Sequence, residues 1–185
     1  MTLFRQIYRV ESARLPGWDY AQAGWYFVTI CTKNRERILG DVVDSQIRLS
    51  NIGEIVADEW VKTRELRPNV RLDEWVVMPN HIHGIIVIEN EPPGVVETHC
   101  NASLRGNYKN KFGPQRNNLS SIIRGFKSAA TKRIHLSASP VFSWQPRFYD
   151  HVIRNENSLN KIRQYIANNP LKWELDKDNP ENLYM

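Results

Sequence analysis

Val70-Arg-Leu-Asp-Glu-Trp-Val-Val-Met78-Pro79-Asn80-His81-Ile-His83-Gly84-Ile-Ile-Val-Ile-Glu89 is the stretch that decides the fold of this chain. Aromatic and β-branched residues crowd both sides of Pro79-Asn80, which predicts strands over 70–78 and 81–89 joined by a tight turn. Strands joined so closely pair antiparallel. On a strand, residues i and i+2 point to the same face, so His81 and His83 project together from backbone positions roughly 6 to 7 Å apart. Their ring nitrogens can converge on one metal ion. The competing reading is a pair of polar residues exposed at a strand end. Gly84 favours a site, because a missing side chain beside the pair lets another backbone or a ligand approach.

Upstream, Trp25 to Thr32 reads as a strand, Lys33-Asn34-Arg35 as a basic turn, and Val42 to Leu49 as a weaker strand or hairpin. Ser50 or Asn51 can cap a helix running to about Arg64, with Ile52, Ile55, Val56 and Trp60 at helical spacing. Downstream, prolines and glycines interrupt residues 90 to 117, which read as a long mobile loop. In it Tyr108 and Phe112 alternate with Lys109, Lys111 and Arg116, a mixture suited to stacking bases and holding phosphates, though a solvated loop carries the same signature. A helix over about Leu119 to His135 buries Leu119, Ile122, Ile123, Phe126 and Ala130, with Ser120, Arg124, Lys127 and Thr131 as a polar stripe beside them. A short strand falls within Trp144 to Arg154, and a last helix, capped between Asn155 and Ser158, runs to about Asn169, where Pro170 stops it. No repeat or linker divides the 185 residues, so the expectation is one domain with a short tail over about 174–185.

Composition narrows the function classes. A net charge of +5 and a pI near 9.3 favour a polyanionic partner, nucleic acid or an acidic surface. No apolar run is long enough to cross a bilayer and no signal peptide is evident, so no membrane partner is expected. Cys31 and Cys100 lie far apart and form neither a disulfide framework nor a zinc spacing, which makes a reducing cytoplasm the default.

Chemistry enters with the last helix. Leu159, Ile162 and Ile166 form its apolar arc, and Tyr165 lies about 60° beyond Ile162. Asn169 sits one turn further on, on the same side as Tyr165. Either residue alone reads as an ordinary amphipathic or helix-end residue. Together with a histidine pair they supply what cleavage of a phosphodiester by a tyrosine needs. A phenol with an ordinary pKa near 10 is a weak nucleophile at neutral pH, and a divalent ion held by two imidazoles and an amide oxygen can polarise and orient the phosphate.

Three blocks carry a family resemblance. Met78-Pro-Asn-His81-Ile-His83 resembles the paired-histidine (HUH) motif of single-tyrosine transposases. Trp144-Gln-Pro-Arg-Phe-Tyr-Asp-His-Val-Ile-Arg154 and Tyr165-Ile-Ala-Asn-Asn169-Pro170 resemble the C-terminal signature of REP-associated tyrosine transposases, and Trp18-Asp-Tyr with Tyr26-Phe-Val-Thr-Ile-Cys-Thr resembles that family's first strand. The resemblance implies an α+β fold in a single domain, an antiparallel β-sheet packed by helices in the RRM-like, ferredoxin-like arrangement of HUH transposases. It implies that His81, His83 and Asn169 hold Mg²⁺ or Mn²⁺ and that Tyr165 is the nucleophile. The substrates it implies are single-stranded DNA hairpins, such as repetitive extragenic palindromes, cleaved and rejoined through a 5′-phosphotyrosine. Arg124, Lys127, Arg147 and Arg154 are the expected DNA contacts; His151 belongs to the matching block without an assigned role. The family includes monomers and homodimers, and the sequence leaves both open. Two other readings stand beside this one: a domesticated, non-cleaving single-strand binder on the same fold, and a metal phosphoesterase that uses water.

Overall fold

A computed structural model of the chain describes residues 3–4, 7–8, 14–90, 118–137 and 141–175, with only the backbone of 3–4, 7–8 and 174–175. Strands β1 (Leu3–Phe4) and β2 (Ile7–Tyr8) make a small antiparallel ribbon. Strand β3 (Gly24–Cys31) precedes a hairpin of β4 (Gly40–Val43) and β5 (Gln46–Leu49). Asp44 and Ser45 join the hairpin with φ of 52° and 62°, the positive values that a two-residue turn needs to match strand twist. Next come helix α1 (Asn51–Glu65), β6 (Val70–Met78), β7 (His81–Ile88), α2 (Leu119–Ser137), β8 (Tyr149–Ile153) and α3 (Glu156–Ala167). The loop read over 90–117 lies outside the described residues, as do Cys100 and the end of the tail.

Both caps follow from side-chain chemistry. Ser50 Oγ accepts from the Gly53 N–H at 3.1 Å and donates to the Ile38 carbonyl at 2.7 Å, so Ser50 rather than Asn51 starts α1. Asn155 Oδ1 accepts from the Ser158 N–H at 2.8 Å to start α3. That helix closes at Ala167, two residues earlier than the sequence suggests. Asn168 caps it and the chain enters a 3₁₀ turn over Pro170–Leu175, because Pro170 has no N–H to continue the ladder.

The main sheet runs in the order β6-β7-β3-β8, every pair antiparallel. With α1 between β3 and β6 and α2 between β7 and β8, this is the βαββαβ ferredoxin-like arrangement, with α3 added. β7 lies inside the sheet and is buried along its whole length. Alternation gives its two faces different work. Ile82, Ile86 and Ile88 pack with Tyr26, Val28, Ile30, Trp60 of α1 and Ile122, Ile123 and Phe126 of α2. Ile85 and Val87 turn the other way, onto Phe27, Ile153 and the Leu159 and Ile166 of α3. Each such apolar side chain removed from water contributes roughly 1.5–3 kcal/mol before the entropy of ordering is subtracted. The helix α3 layer is the thinner of the two, and it is the layer on the side of His81 and His83.

Candidate active site

His81 and His83 share the α3 side of β7, as their i, i+2 spacing requires, with ring centroids 4.3 Å apart. They are 0% and 1% exposed. Each is held by one neighbour. Asn80 Nδ2 donates to the Arg35 carbonyl at 3.3 Å, which turns its amide oxygen toward His81; that oxygen lies 2.7 Å from Nδ1. An amide oxygen only accepts, so Nδ1 of His81 carries the proton and Nε2 keeps its lone pair. Burial first, then the charges of His83 and Arg35, pushes the His81 imidazole well below the ordinary histidine range, so the ring is neutral at pH 7. His83 Nδ1 lies 2.9 Å from the hydroxyl of Thr29, its register partner on β3. With Nδ1 turned to that hydroxyl, Nε2 of His83 points to the helix.

There it meets Tyr165. The phenol oxygen is 3.2 Å from His83 Nε2, and the two rings are 5.2 Å apart. Both residues belong to the same chain. Tyr165 is 40% exposed, whereas the imidazoles beneath it are closed off from solvent. Phe27 stands under this junction with its ring 5.3 Å from His83, 6.1 Å from Tyr165 and 6.3 Å from Tyr149, edge-on to both tyrosines. Asn169 follows one turn after Tyr165. It is buried, and its Oδ1 has no hydrogen-bond partner among the described residues. A buried amide oxygen left without a donor costs about 1–3 kcal/mol, a cost that a cation would remove. Two imidazole nitrogens and an amide oxygen suit a divalent ion that still needs phosphate oxygens to complete its shell. Among the described residues no three His, Cys, Asp or Glu side chains cluster as a metal site.

The basic residues expected to touch DNA separate into groups. Lys127 is half-buried: its ammonium donates to the carbonyls of Gln145, at 2.8 Å, and of Arg147, and burial pulls its pKa down to about 8. It therefore pins the segment leading into β8. Arg147, with φ of 68°, and Arg124 are exposed. Arg154 lies past the far end of β8, with its guanidinium 5.9 Å from the Trp18 ring, away from the end where β8 passes Thr29. His151 is exposed on β8 opposite Phe27, on the face of the histidine pair. Tyr108, Lys109, Lys111, Phe112 and Arg116 lie outside the described residues.

One expectation is corrected. Gly84 opens no space for a ligand beside the histidines, because its Cα faces the other side of the sheet, where the Trp60 indole and the Trp75 Cβ fill the space of a side chain. Sequence reasoning also passed over three site residues. Asn80 looked only like a turn residue, although a polar side chain directly before the pair is a signal; Thr29 and Phe27 gave none until strand pairing placed them.

No protein-family profile matches the chain. Over 173 residues it is 37% identical to an uncharacterized protein of Haemophilus influenzae, covering 92% of this chain and 93% of that one. Over 153 residues it is 27% identical to the REP-associated tyrosine transposase of Escherichia coli, covering 83% of this chain and 70% of the relative. The solved structure of a REP-associated tyrosine transposase bound to a REP hairpin superposes with a TM-score of 0.59 at 23% identity, over 91% of this chain and 77% of the other. The chain thus has the α+β fold of a REP-associated tyrosine transposase. The chain belongs to one family with the Haemophilus protein. Among the described residues no helix is long and apolar enough to cross a membrane.

Proposed function

We propose that this chain is a metal-dependent, single-stranded DNA transposase and endonuclease that cleaves and rejoins DNA at hairpin sites through Tyr165. The observation that carries this reading is the 3.2 Å approach of the Tyr165 hydroxyl to His83 Nε2 within one chain. His81 Nε2, His83 Nε2 and Asn169 Oδ1 would hold Mg²⁺ or Mn²⁺. Bound there, the ion would polarise the scissile phosphate and orient it for in-line attack.

The chain's own groups supply the rest. Tyr165 reaches solvent at the edge of the buried pair, so a strand laid over that edge presents a phosphorus atom to the phenol oxygen. Attack forms the Tyr165 Oη–P bond and breaks the P–O3′ bond. The phenolic proton leaves to water and the departing 3′ oxygen takes one up, which gives a 5′-phosphotyrosine and a free 3′ hydroxyl. The phosphotyrosine keeps the energy of the diester, so a later 3′ hydroxyl can rejoin the strand by the reverse step. Asn80 and Thr29 keep both rings turned with Nε2 outward, and Phe27 fixes the spacing of ring and phenol. The exposed Arg124 and Arg147 are proposed phosphate contacts, and Arg154, at the other end of β8, can act only on a more distant part of the same DNA. The E. coli relative is by name a REP-associated transposase, and the solved neighbour is a complex with a REP hairpin, which supports hairpins as the substrate class.

The test is a labelled single-stranded hairpin oligonucleotide incubated with Mn²⁺. A covalent adduct that survives denaturation and is lost in Tyr165→Phe is the expected result. A mobility shift without an adduct would mean a binder that does not cut. Cleavage that persists in Tyr165→Phe would mean that water is the nucleophile.

A further inference from the structure

Helix α3 presents a narrow ridge to the sheet. At about 100° per residue, Leu159, Ile162 and Ile166 span only about 60° of its circumference, with Arg163 about 40° beyond one side and Tyr165 about 60° beyond the other. A ridge so narrow resists lifting but not rolling. A contact able to oppose a roll lies on the Arg163 flank. Arg163 donates from Nε to Asp73 Oδ1 at 2.7 Å and from Nη2 to Asp73 Oδ2 at 2.8 Å, a two-pronged pair that fixes direction as well as distance. Asp73 lies at an irregularity in β6: Leu72 pairs with Ile86 and Trp75 with Gly84, so β6 carries one extra residue against β7 there. The Trp25 ring lies beside the pair, 5.5 Å from the Arg163 guanidinium and 5.0 Å from that of Arg71, and Arg71 also approaches Asp73 at 3.7 Å. Hydrogen bonds from Arg163 hold the Asp73 carboxyl below the ordinary carboxylate range, so the contact stays ionised at neutral pH.

We propose that the Asp73–Arg163 pair is the positioning contact that sets the roll of α3 and thereby points Tyr165 at the histidines of its own chain. It rests on the reading of Tyr165 as the nucleophile. Neither residue touches the reacting atoms: Arg163 and Tyr165 stand on opposite flanks of the ridge, so one anchors what the other aims. A roll of roughly 20° about an axis 5–6 Å away carries a side-chain tip roughly 2 Å, enough to separate the phenol from His83. A misplacement of about 1 Å at a reacting group already costs about a hundredfold in rate.

The experiment uses the full chain as wild type, Arg163→Ala, Asp73→Asn, their double variant and Arg163→Lys, and reads three quantities: amide hydrogen exchange across 156–167, hairpin affinity, and the rate of Mn²⁺-dependent adduct formation. Exchange in α3 should quicken by about tenfold in Arg163→Ala and Asp73→Asn while β7 is unchanged. The adduct rate should fall between about tenfold and a hundredfold with affinity held within about twofold. The double variant should be no slower than the worse single variant, since both remove one contact, and Arg163→Lys should fall between wild type and Arg163→Ala. Unchanged exchange overturns the proposal. So does faster exchange with an undiminished adduct rate, and so does a loss of affinity that accounts for the loss of rate, which would make Arg163 a DNA contact. If wild type itself forms no adduct, the cleavage reading fails, and the exchange data still decide whether the pair holds the helix.

Discussion

Gly84→Ala tests the packing that holds the histidine strand in place. A methyl group at Gly84 would overlap Cζ2 of the Trp60 indole, and would sit 3.1 Å from its Cε2 and 3.2 Å from the Trp75 Cβ. The indole has nowhere to retreat, being fully buried with its ring edge-on to Phe126 at 5.1 Å. Overpacking of this kind costs about 1–3 kcal/mol. Alanine recovers about 0.5–1 kcal/mol of that, because glycine loses more backbone freedom in a strand. The net destabilisation is up to about 2.5 kcal/mol, and at about 2–4 °C per kcal/mol for a chain of this size the Tm should fall by up to roughly 10 °C. Thermal unfolding followed by circular dichroism measures it. A second background isolates the cause. In Trp60→Phe the smaller ring leaves room for the methyl, so adding Gly84→Ala there should no longer destabilise, a coupling of about 1–3 kcal/mol. An equal penalty in both backgrounds would refute the argument that the indole is what fills the missing side chain.

Asn80→Ala removes the acceptor that keeps His81 Nε2 outward, and should weaken Mn²⁺ binding about 10–100-fold in a calorimetric titration; unchanged affinity would mean the ring needs no such guide. Because the folded His81 resists protonation, the unfolded chain binds more protons as pH falls below about 6.5, so His81's contribution to stability is present above that pH and declines below it, by up to about 1.4 kcal/mol per pH unit. Urea midpoints measured between pH 7 and pH 5 should show this slope, and His81→Gln should flatten it. Arg124→Ala should weaken binding to unrelated hairpins alike and reduce the salt slope by about one, whereas Lys127→Ala, which frees the carbonyls of Gln145 and Arg147, should lower the Tm more than it changes that slope. The reverse pattern would exchange their roles.

Patterns local to a few residues were legible before any coordinates. Alternation and β-branching placed β3, β6 and β7, the Pro79-Asn80 turn set β6 antiparallel to β7, and helical spacing put Tyr165 at the edge of an apolar arc. Contacts that depend on topology were not. Gly84 signalled a close approach, yet only the crossover helix α1 shows that the visitor is Trp60, on the side away from the histidines. Asp73 and Arg163 are ninety positions apart and meet only because the fold lays α3 across the end of β6 where the extra residue sits. Lys127 lay on a stripe that reads as free charge, but the segment folded against it carries two carbonyls that take its ammonium.

The turn between β6 and β7 leaves no slack. The Pro79 carbonyl accepts from the Leu39 N–H and the Asn80 carbonyl from the Thr32 N–H, both at 2.9 Å, so the two-residue link is stapled to the loop behind it. A slip of β7 by one place would carry both imidazoles into the oily layer beneath α1 and α2 and deliver isoleucines to the tyrosine. Taking this cluster apart would thus need no change to any of its side chains, only a one-residue shift of the strand that bears two of them.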